Sequence, residues 1–241
     1  SDSIASPNTT INAIVAEAFC EAADRLEKAE DFDMAVHDLI KEYMTKHQRI
    51  LFSGNGYSKE WYEEAMRRGL PNIQSTIEAA PTLTTDKAVK LFEKFGIFTR
   101  VELESREEII YETYAKTINI EALTMIDMAG KDIIPAVAAY TGELANTVVT
   151  VKEAGAPATA QTELLVEVDS LLAEAKKALK HLEECTVDAN KIENAKERAF
   201  YYKDVVDVAM TALRKPVDKL EMLVDSDIWP MPTYGRLMFE I

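Results

Sequence analysis

The sequence predicts an all-α protein: an up-down bundle of long helices, a smaller helical cap, and an extended apolar C-terminal tail. Apolar residues recur at helical spacing over long stretches, and short turns rich in glycine and proline separate these stretches. The alternation with a period of two that is typical of half-buried strands is nearly absent. Long amphipathic helices joined by short turns bury their apolar faces against one another, which predicts the bundle.

Two helices are predicted in the first fifty residues, one on each side of Asp31. Apolar residues recur at helical spacing through residues 11–26, and we expect Asn8 or Thr9 to cap this first helix. The second helix follows Asp31 and continues to about Tyr43.

The smaller helical cap is predicted for residues 50–100. Ser58 begins one short helix and Gly69 ends it, while Gly96 ends a second. Before Ser58, the two glycines and the asparagine of Gly54-Asn55-Gly56 allow left-handed backbone.

Three long helices are predicted to build the bundle. The first follows Thr99 and runs to about Val151, with Pro135 as an internal kink, because the apolar pattern resumes in phase beyond it. Residues 154–157 form a turn, and a second long helix ends near Cys185.

The last long helix is predicted to begin after Asp188 and to continue to about Val224, with Pro216 as a second kink. The tail beyond it is too apolar to stay in water, so we expect it to pack on this chain's own helices or on a neighbouring part of the protein. The large tail side chains are Trp229, Tyr234, Leu237, Met238, Phe239 and Ile241.

Charge and cysteine content exclude several classes of function. A net charge of −15 argues against nucleic acid or an anionic membrane as a partner, since both require clustered positive charge. Cys20 and Cys185 are expected to be buried thiols in a reducing compartment. No signal peptide or membrane-spanning run is evident, and we therefore expect a cytoplasmic protein.

The residues that could carry chemistry do not form a recognisable site. The Gly54-Asn55-Gly56 loop lacks the spacing and the lysine of a phosphate-binding loop. His37, His47 and His181 lack the spacing at which two imidazoles converge on zinc. The Arg/Glu-rich run from Arg100 to Arg106 is predicted to lie at a helix start. We therefore assign no catalytic, cofactor-binding or metal-binding residue.

Several blocks of this sequence resemble the carboxy-terminal region of type III glutamine synthetases, the large bacterial form of that enzyme. They occur in the expected order and cover nearly the whole chain; only residues 150–205 are weakly diagnostic. The blocks are Ser6–Glu17, Ser53–Trp61 with Arg67–Asn72, Lys116–Ala122 with Met125–Met128, and the tail Asp227–Ile241.

The resemblance implies a glutamate–ammonia ligase that uses ATP and Mg²⁺ or Mn²⁺. The family's Arg-x-Glu-x-Arg catalytic strand should lie just before Ser6, so we expect the catalytic residues to be absent from this chain and no cofactor to bind it. Residues 1–50 are then the last helices of the catalytic domain, and residues 51–241 a C-terminal helical domain specific to type III enzymes. The partners implied are the upstream catalytic domain and identical subunits. The alternative is a free-standing helical protein-interaction module.

Overall fold

The computed structural model describes residues 3–232 and 234–239, and all regular secondary structure in these ranges is helical. The predicted all-α class is therefore confirmed. The chain divides into two compact units, residues 1–107 and 108–241. The predicted boundary near residue 50 concerns membership of a catalytic domain and stays a prediction. Among the described residues, no helix combines the length and apolar character needed to cross a membrane.

The first unit consists of short and medium helices. Its α-helices are α1 (Ala5–Leu26), α2 (Phe32–Lys46), α3 (Lys59–Arg67), α4 (Thr76–Ala79) and α5 (Asp86–Lys94), with 3₁₀ turns at Gln48–Ile50 and Ala80–Thr84. Asp31 and Ser58 cap α2 and α3 through their side chains, as residues of these types commonly do. Gly69 and Gly96 lie beyond the ends of α3 and α5 with φ values of 68° and 63°, so both predicted helix ends are confirmed.

The start of α1 differs from the prediction. The helix already begins at Ala5, so Asn8 and Thr9 lie inside it and cannot cap it. The Thr9 hydroxyl instead donates to the Ala5 carbonyl, 2.9 Å away. Pro7 falls in the first turn, where its missing N–H costs no intrahelical hydrogen bond, and the chain therefore enters the helix earlier than the cap residues suggested.

The predicted long helix is present. It consists of α6 (Arg100–Met128), a π-helical turn (Ala129–Ile133) and α7 (Ile134–Glu153), 54 residues in all. Thr99 and Glu102 form a capping box: the Thr99 N–H donates to Glu102 Oε2 at 2.8 Å, and the Glu102 N–H to Thr99 Oγ1 at 3.4 Å. The helix continues past Pro135, and the π-helical turn directly before this proline is the local irregularity in the helix.

The remaining helices are α8 (Thr159–Ala189), α9 (Ala195–Tyr201), α10 (Asp207–Leu223) and α11 (Tyr234–Phe239), with a second π-helical turn, Tyr202–Val206, between α9 and α10. Neither this turn nor the cap of α9, where the Asn194 side chain accepts from the Glu197 N–H, was predicted from the sequence. The helix α8 continues four residues past the predicted end at Cys185. Pro216 lies inside α10 and is buried.

The second unit has a continuous bundle core. The helices α7 and α10 both pack on α8, and two clusters of buried side chains fill the space between the helices. The phenol of Tyr202 is buried, and its hydroxyl donates to Asn119 Oδ1, 2.8 Å away. This bond ties α6 to the second π-helical turn. Burial raises the pKa of Tyr202, so the hydroxyl keeps its proton and remains a donor at neutral pH.

The first unit buries much less. Its core cluster is Ala13, Val89, Phe92 and Leu103, with a few partly buried neighbours. The helices α1 and α2 bury one side chain each, Ala13 and Leu39. A pair of helices of this length normally buries a whole apolar face, so the first unit leaves apolar surface in solvent.

Candidate interaction surface

An exposed apolar surface of the first unit lies along α1. Ile11, Ile14, Val15 and Phe19 recur at helical spacing and therefore lie on one side of the helix. All four are exposed, Phe19 to 71%. We call these four residues the α1 stripe.

The packed face of α1 is the opposite one. Ala13 is buried, and Ala16, Glu17 and Cys20 are half-buried. At 100° per residue these positions lie about half a turn away from the α1 stripe. The small residues of α1 thus face the core of the first unit, and the large apolar residues face solvent. Within one domain the usual arrangement is the reverse.

Further large apolar side chains are exposed in the same unit. They lie on α2, on α3 and in the segments around them: Phe32, Ile40, Met44, Ile50, Leu51, Tyr57, Tyr62, Met66 and Ile73. Single exposed apolar residues are ordinary on protein surfaces, but a concentration of them indicates a contact surface.

A groove lies between α1 and α5, with a volume of about 740 Å³. Ile14 and Ala18 line it from α1, and Leu91 and two lysines, Lys87 and Lys90, line it from α5. The groove is half-open to solvent. We call it the α1–α5 groove.

The loop before α3 is held by hydrogen bonds and presents a tyrosine. The Asn55 side chain accepts from the Tyr57 N–H at 3.0 Å, and the Tyr57 side chain is fully exposed. Arg68 anchors the loop, because its guanidinium donates to the Leu51 carbonyl at 2.8 Å and to Glu64. The Arg68 hydrogen bond also holds the pKa of Glu64 below its usual value.

The two ends of the C-terminal tail differ in how deeply their side chains are buried. Trp229 is 5% exposed and packs into the core cluster that includes Ile133, Leu220 and Val224, so the prediction of a docked tail is confirmed there. Leu237, Met238 and Phe239 are exposed, which contradicts packing of these three residues on the chain's own helices. The side chains of Tyr234 and Ile241, expected to pack with them, lie outside the described residues.

Gly54 and Gly56 allow left-handed backbone but do not adopt it; the described glycines with positive φ are Gly69, Gly96 and Gly155, all just beyond helix ends. The expectation for the two cysteines requires one correction. Cys185 is a buried free thiol, as predicted, whereas Cys20 is only half-buried.

The remaining candidates for chemistry lie apart. His37 and His47 are exposed, and His181 lies beside Cys185, with Nε2 3.6 Å from Sγ. Arg100 begins α6, which confirms the predicted helix start. Within residues 3–232 and 234–239, no three His, Cys, Asp or Glu side chains are grouped so that they could hold a metal ion.

Comparison with known proteins identifies relatives across most of the chain. Residues 35–152 match the family model described as "Glutamine synthetase C-terminal domain". A glutamine synthetase from Butyrivibrio fibrisolvens is 39% identical over 208 residues, which cover 86% of this chain and 30% of that protein. A type-3 glutamine synthetase from Dictyostelium discoideum is 34% identical, with 97% of this chain and 33% of that protein covered.

A third relative, a glutamine synthetase from Bacteroides fragilis (strain YCH46), is 32% identical over 95% of this chain and 33% of its own length. The chain thus spans about a third of the length of the curated relatives that it matches.

Proposed function

Because this chain belongs to the glutamine synthetase family, as the carboxy-terminal region of the type III form, we propose that it is a structural and oligomerisation region of that enzyme. In this proposal the full-length protein joins ammonia to glutamate. In that reaction ATP would phosphorylate glutamate and ammonia would then displace the phosphate, while Mg²⁺ or Mn²⁺ held outside this chain would supply neutralisation of the phosphate charge. The described residues of this chain do not fit such a metal site.

The α1 stripe is the observation that carries the proposal. Burying one large apolar side chain is worth roughly 1.5–3 kcal/mol, and this chain leaves four of them exposed along one face of α1. Exposing such a surface to water is unfavourable. Covering it with another protein surface lowers the free energy of the protein, so we expect it to be covered in the full-length enzyme.

The remainder of the enzyme is the partner that we propose for the α1 stripe. The relatives are about three times as long as this chain, and the exposed apolar residues concentrate in the first unit. In this arrangement the first unit braces the catalytic domain. The bundle of the second unit, with the exposed side chains of α11, provides contact surface for identical subunits in a ring-shaped assembly.

The test compares the 241-residue chain with a full-length enzyme that contains it. We expect the full-length enzyme to release ADP and to form glutamine, and the chain alone to give neither product above the blank. Activity of the purified chain alone would refute a purely structural role. An inactive full-length protein that is folded and assembled would refute the assignment as a ligase.

The solution mass of the two proteins tests the oligomerisation role. We expect the full-length enzyme to form a closed multimer, and the same enzyme without residues 108–241 to form smaller species. Equal subunit numbers with and without those residues would remove oligomerisation from the proposal and leave only the bracing role.

A further inference from the structure

The α1–α5 groove combines an apolar surface with positive charge that no described carboxylate pairs with. Ile14 and Ala18 line it on one side and Leu91 on the other, whereas Lys87 and Lys90 stand on α5 beside Leu91. On α5, Lys87 lies three residues before Lys90 and four before Leu91, so the three side chains share one side of the helix.

One ion pair fixes the spacing of the two walls. Lys94 Nζ lies 2.5 Å from Glu17 Oε2, and both residues line the groove. This pair joins α5 to α1 and uses the charge of Lys94. The groove is therefore a formed feature of the first unit.

Lys87 and Lys90 remain available for a partner. No described carboxylate lies within ion-pair distance of either ammonium group. The groove lining contains three lysines and two glutamates, which makes it locally positive in a chain of net charge −15. Exposed charges are screened within about 8 Å in physiological salt, so this local excess acts on groups that enter the groove.

We propose that the α1–α5 groove binds an apolar segment flanked by carboxylates, and that the remainder of the glutamine synthetase chain supplies this segment. Its apolar side chains would cover Ile14, Ala18 and Leu91, and its carboxylates would pair with Lys87 and Lys90. Opposite charges at the rim of an apolar contact fix its register.

The choice of partner rests on the proposed function and on continuity of surface. Ile14 belongs both to the α1 stripe and to the α1–α5 groove. A protein surface that covers the stripe therefore reaches the wall of the groove as well. The carboxylates of the proposed segment are the part of that surface that would form ion pairs with Lys87 and Lys90.

Lysine acetylation tests the inference without any substitution. The full-length enzyme and the 241-residue chain are treated with an acetyl N-hydroxysuccinimide ester, and the rate at each lysine is followed by mass spectrometry. We expect Lys87 and Lys90 to react at least about tenfold more slowly in the full-length enzyme, which corresponds to a protection of roughly 1.4 kcal/mol. Lys176 and Lys177, exposed on α8, are the comparison: their protection in the full-length enzyme reports subunit contacts of the second unit, and the protection of Lys87 and Lys90 should exceed it.

Carbodiimide cross-linking of the full-length enzyme identifies the occupant. We expect Lys87 or Lys90 to be joined to an aspartate or glutamate that precedes Ser1, and the Lys94–Glu17 link serves as an internal positive control. Equal acetylation rates in the two proteins, or cross-links from Lys87 and Lys90 only to carboxylates within residues 1–241, would overturn the inference.

The two proposals can fail separately. If a charge in the α1 stripe destabilises the full-length enzyme while Lys87 and Lys90 stay fully reactive, the stripe is an interface and the groove is not. If a stripe charge has no effect in the full-length enzyme, the proposed function itself fails.

Discussion

The indole ring of Trp61 stacks on the phenyl ring of Phe52, with ring centroids 4.1 Å apart and planes inclined by 24°. The Arg68 guanidinium lies over the same indole, 5.7 Å from its centroid. These contacts fasten the loop before α3 to the helix that follows it. They also explain why a glycine occupies position 54, because a Cβ atom there would lie 2.6 Å from Phe52 Cζ.

We expect Gly54→Ala to displace the Phe52 ring from Trp61. An aromatic pair contributes about 0.5–1.5 kcal/mol beyond its buried area, and the loss of stability should fall in this range. The emission of Trp61, recorded in a Trp229→Phe background, should shift towards that of a solvated indole. Gly56→Ala is the matched control, since no atom lies within 4 Å of its Cβ position. Equal effects of the two substitutions would contradict this role of the stack.

The tail should contribute to stability through Trp229 and not through Phe239. Replacing a buried Trp by Ala typically costs about 3–5 kcal/mol, whereas an exposed substitution changes stability by about 0.5 kcal/mol or less. Trp229 is buried and Phe239 is 79% exposed. Urea unfolding of the Trp229→Ala and Phe239→Ala variants of the 241-residue chain measures the loss of stability that each substitution causes.

Trp229→Phe refines this comparison. The indole N–H of Trp229 is buried and has no acceptor among the described residues, and burying an unpaired donor costs about 1–3 kcal/mol. Phenylalanine keeps most of the apolar contact and removes this donor. We therefore expect Trp229→Phe to cost much less than Trp229→Ala; equal losses would show that the N–H has a partner in solution.

The capping box at the start of α6 should make stability depend on pH. The Thr99 N–H and hydroxyl both donate to Glu102, and these bonds lower the pKa of Glu102 from 4.5. A depressed folded pKa means that the contribution is complete above the unfolded value and is lost as pH falls through the folded one. The dependence should therefore appear below about pH 4.5.

Thr99→Ala removes the cap and should cost about 0.5–2 kcal/mol at neutral pH. The difference from the parent chain should shrink as the pH falls, because protonation of Glu102 weakens the same bonds in the parent. Thr124→Ala is the control: Thr124 is an exposed residue inside α6 whose hydroxyl donates to the Ile120 carbonyl of the same helix. A constant difference between Thr99→Ala and the parent down to low pH would argue against the capping box.

Helix positions were predictable from the sequence because their signals are local. Ser58, Thr99 and Gly69 act on the backbone within a few residues, and each lies where the sequence placed a helix start or end. The π-helical turns were not predictable in this way. The turn Tyr202–Val206 lies within a regular apolar pattern, and a period of 3.6 residues does not reveal a single widened turn.

The α1 stripe could not be predicted to be a contact surface, for a different reason. The pattern of Ile11, Ile14, Val15 and Phe19 identifies an amphipathic helix, but periodicity does not tell which protein surface covers the apolar face. In this chain the opposite face of α1, with Ala13, packs on the first unit. Which face of α1 is buried depends on its packing against α5, and Val89 of α5 is more than sixty residues away from Ala13 in the sequence.

The central claim is that the α1 stripe is an interface within the full-length enzyme. The most direct test is the melting temperature of Phe19→Glu in two contexts, the 241-residue chain and the full-length enzyme. Met34→Glu is the matched control, because Met34 is 58% exposed on α2, with Asp38 and Lys41 four and seven residues away on its side of the helix. We expect Phe19→Glu to leave the melting temperature of the chain unchanged and to lower that of the full-length enzyme by about 4 °C or more, because it buries an unpaired charge. Equal melting shifts in the two contexts, or an equal loss with Met34→Glu in the full-length enzyme, would contradict the claim.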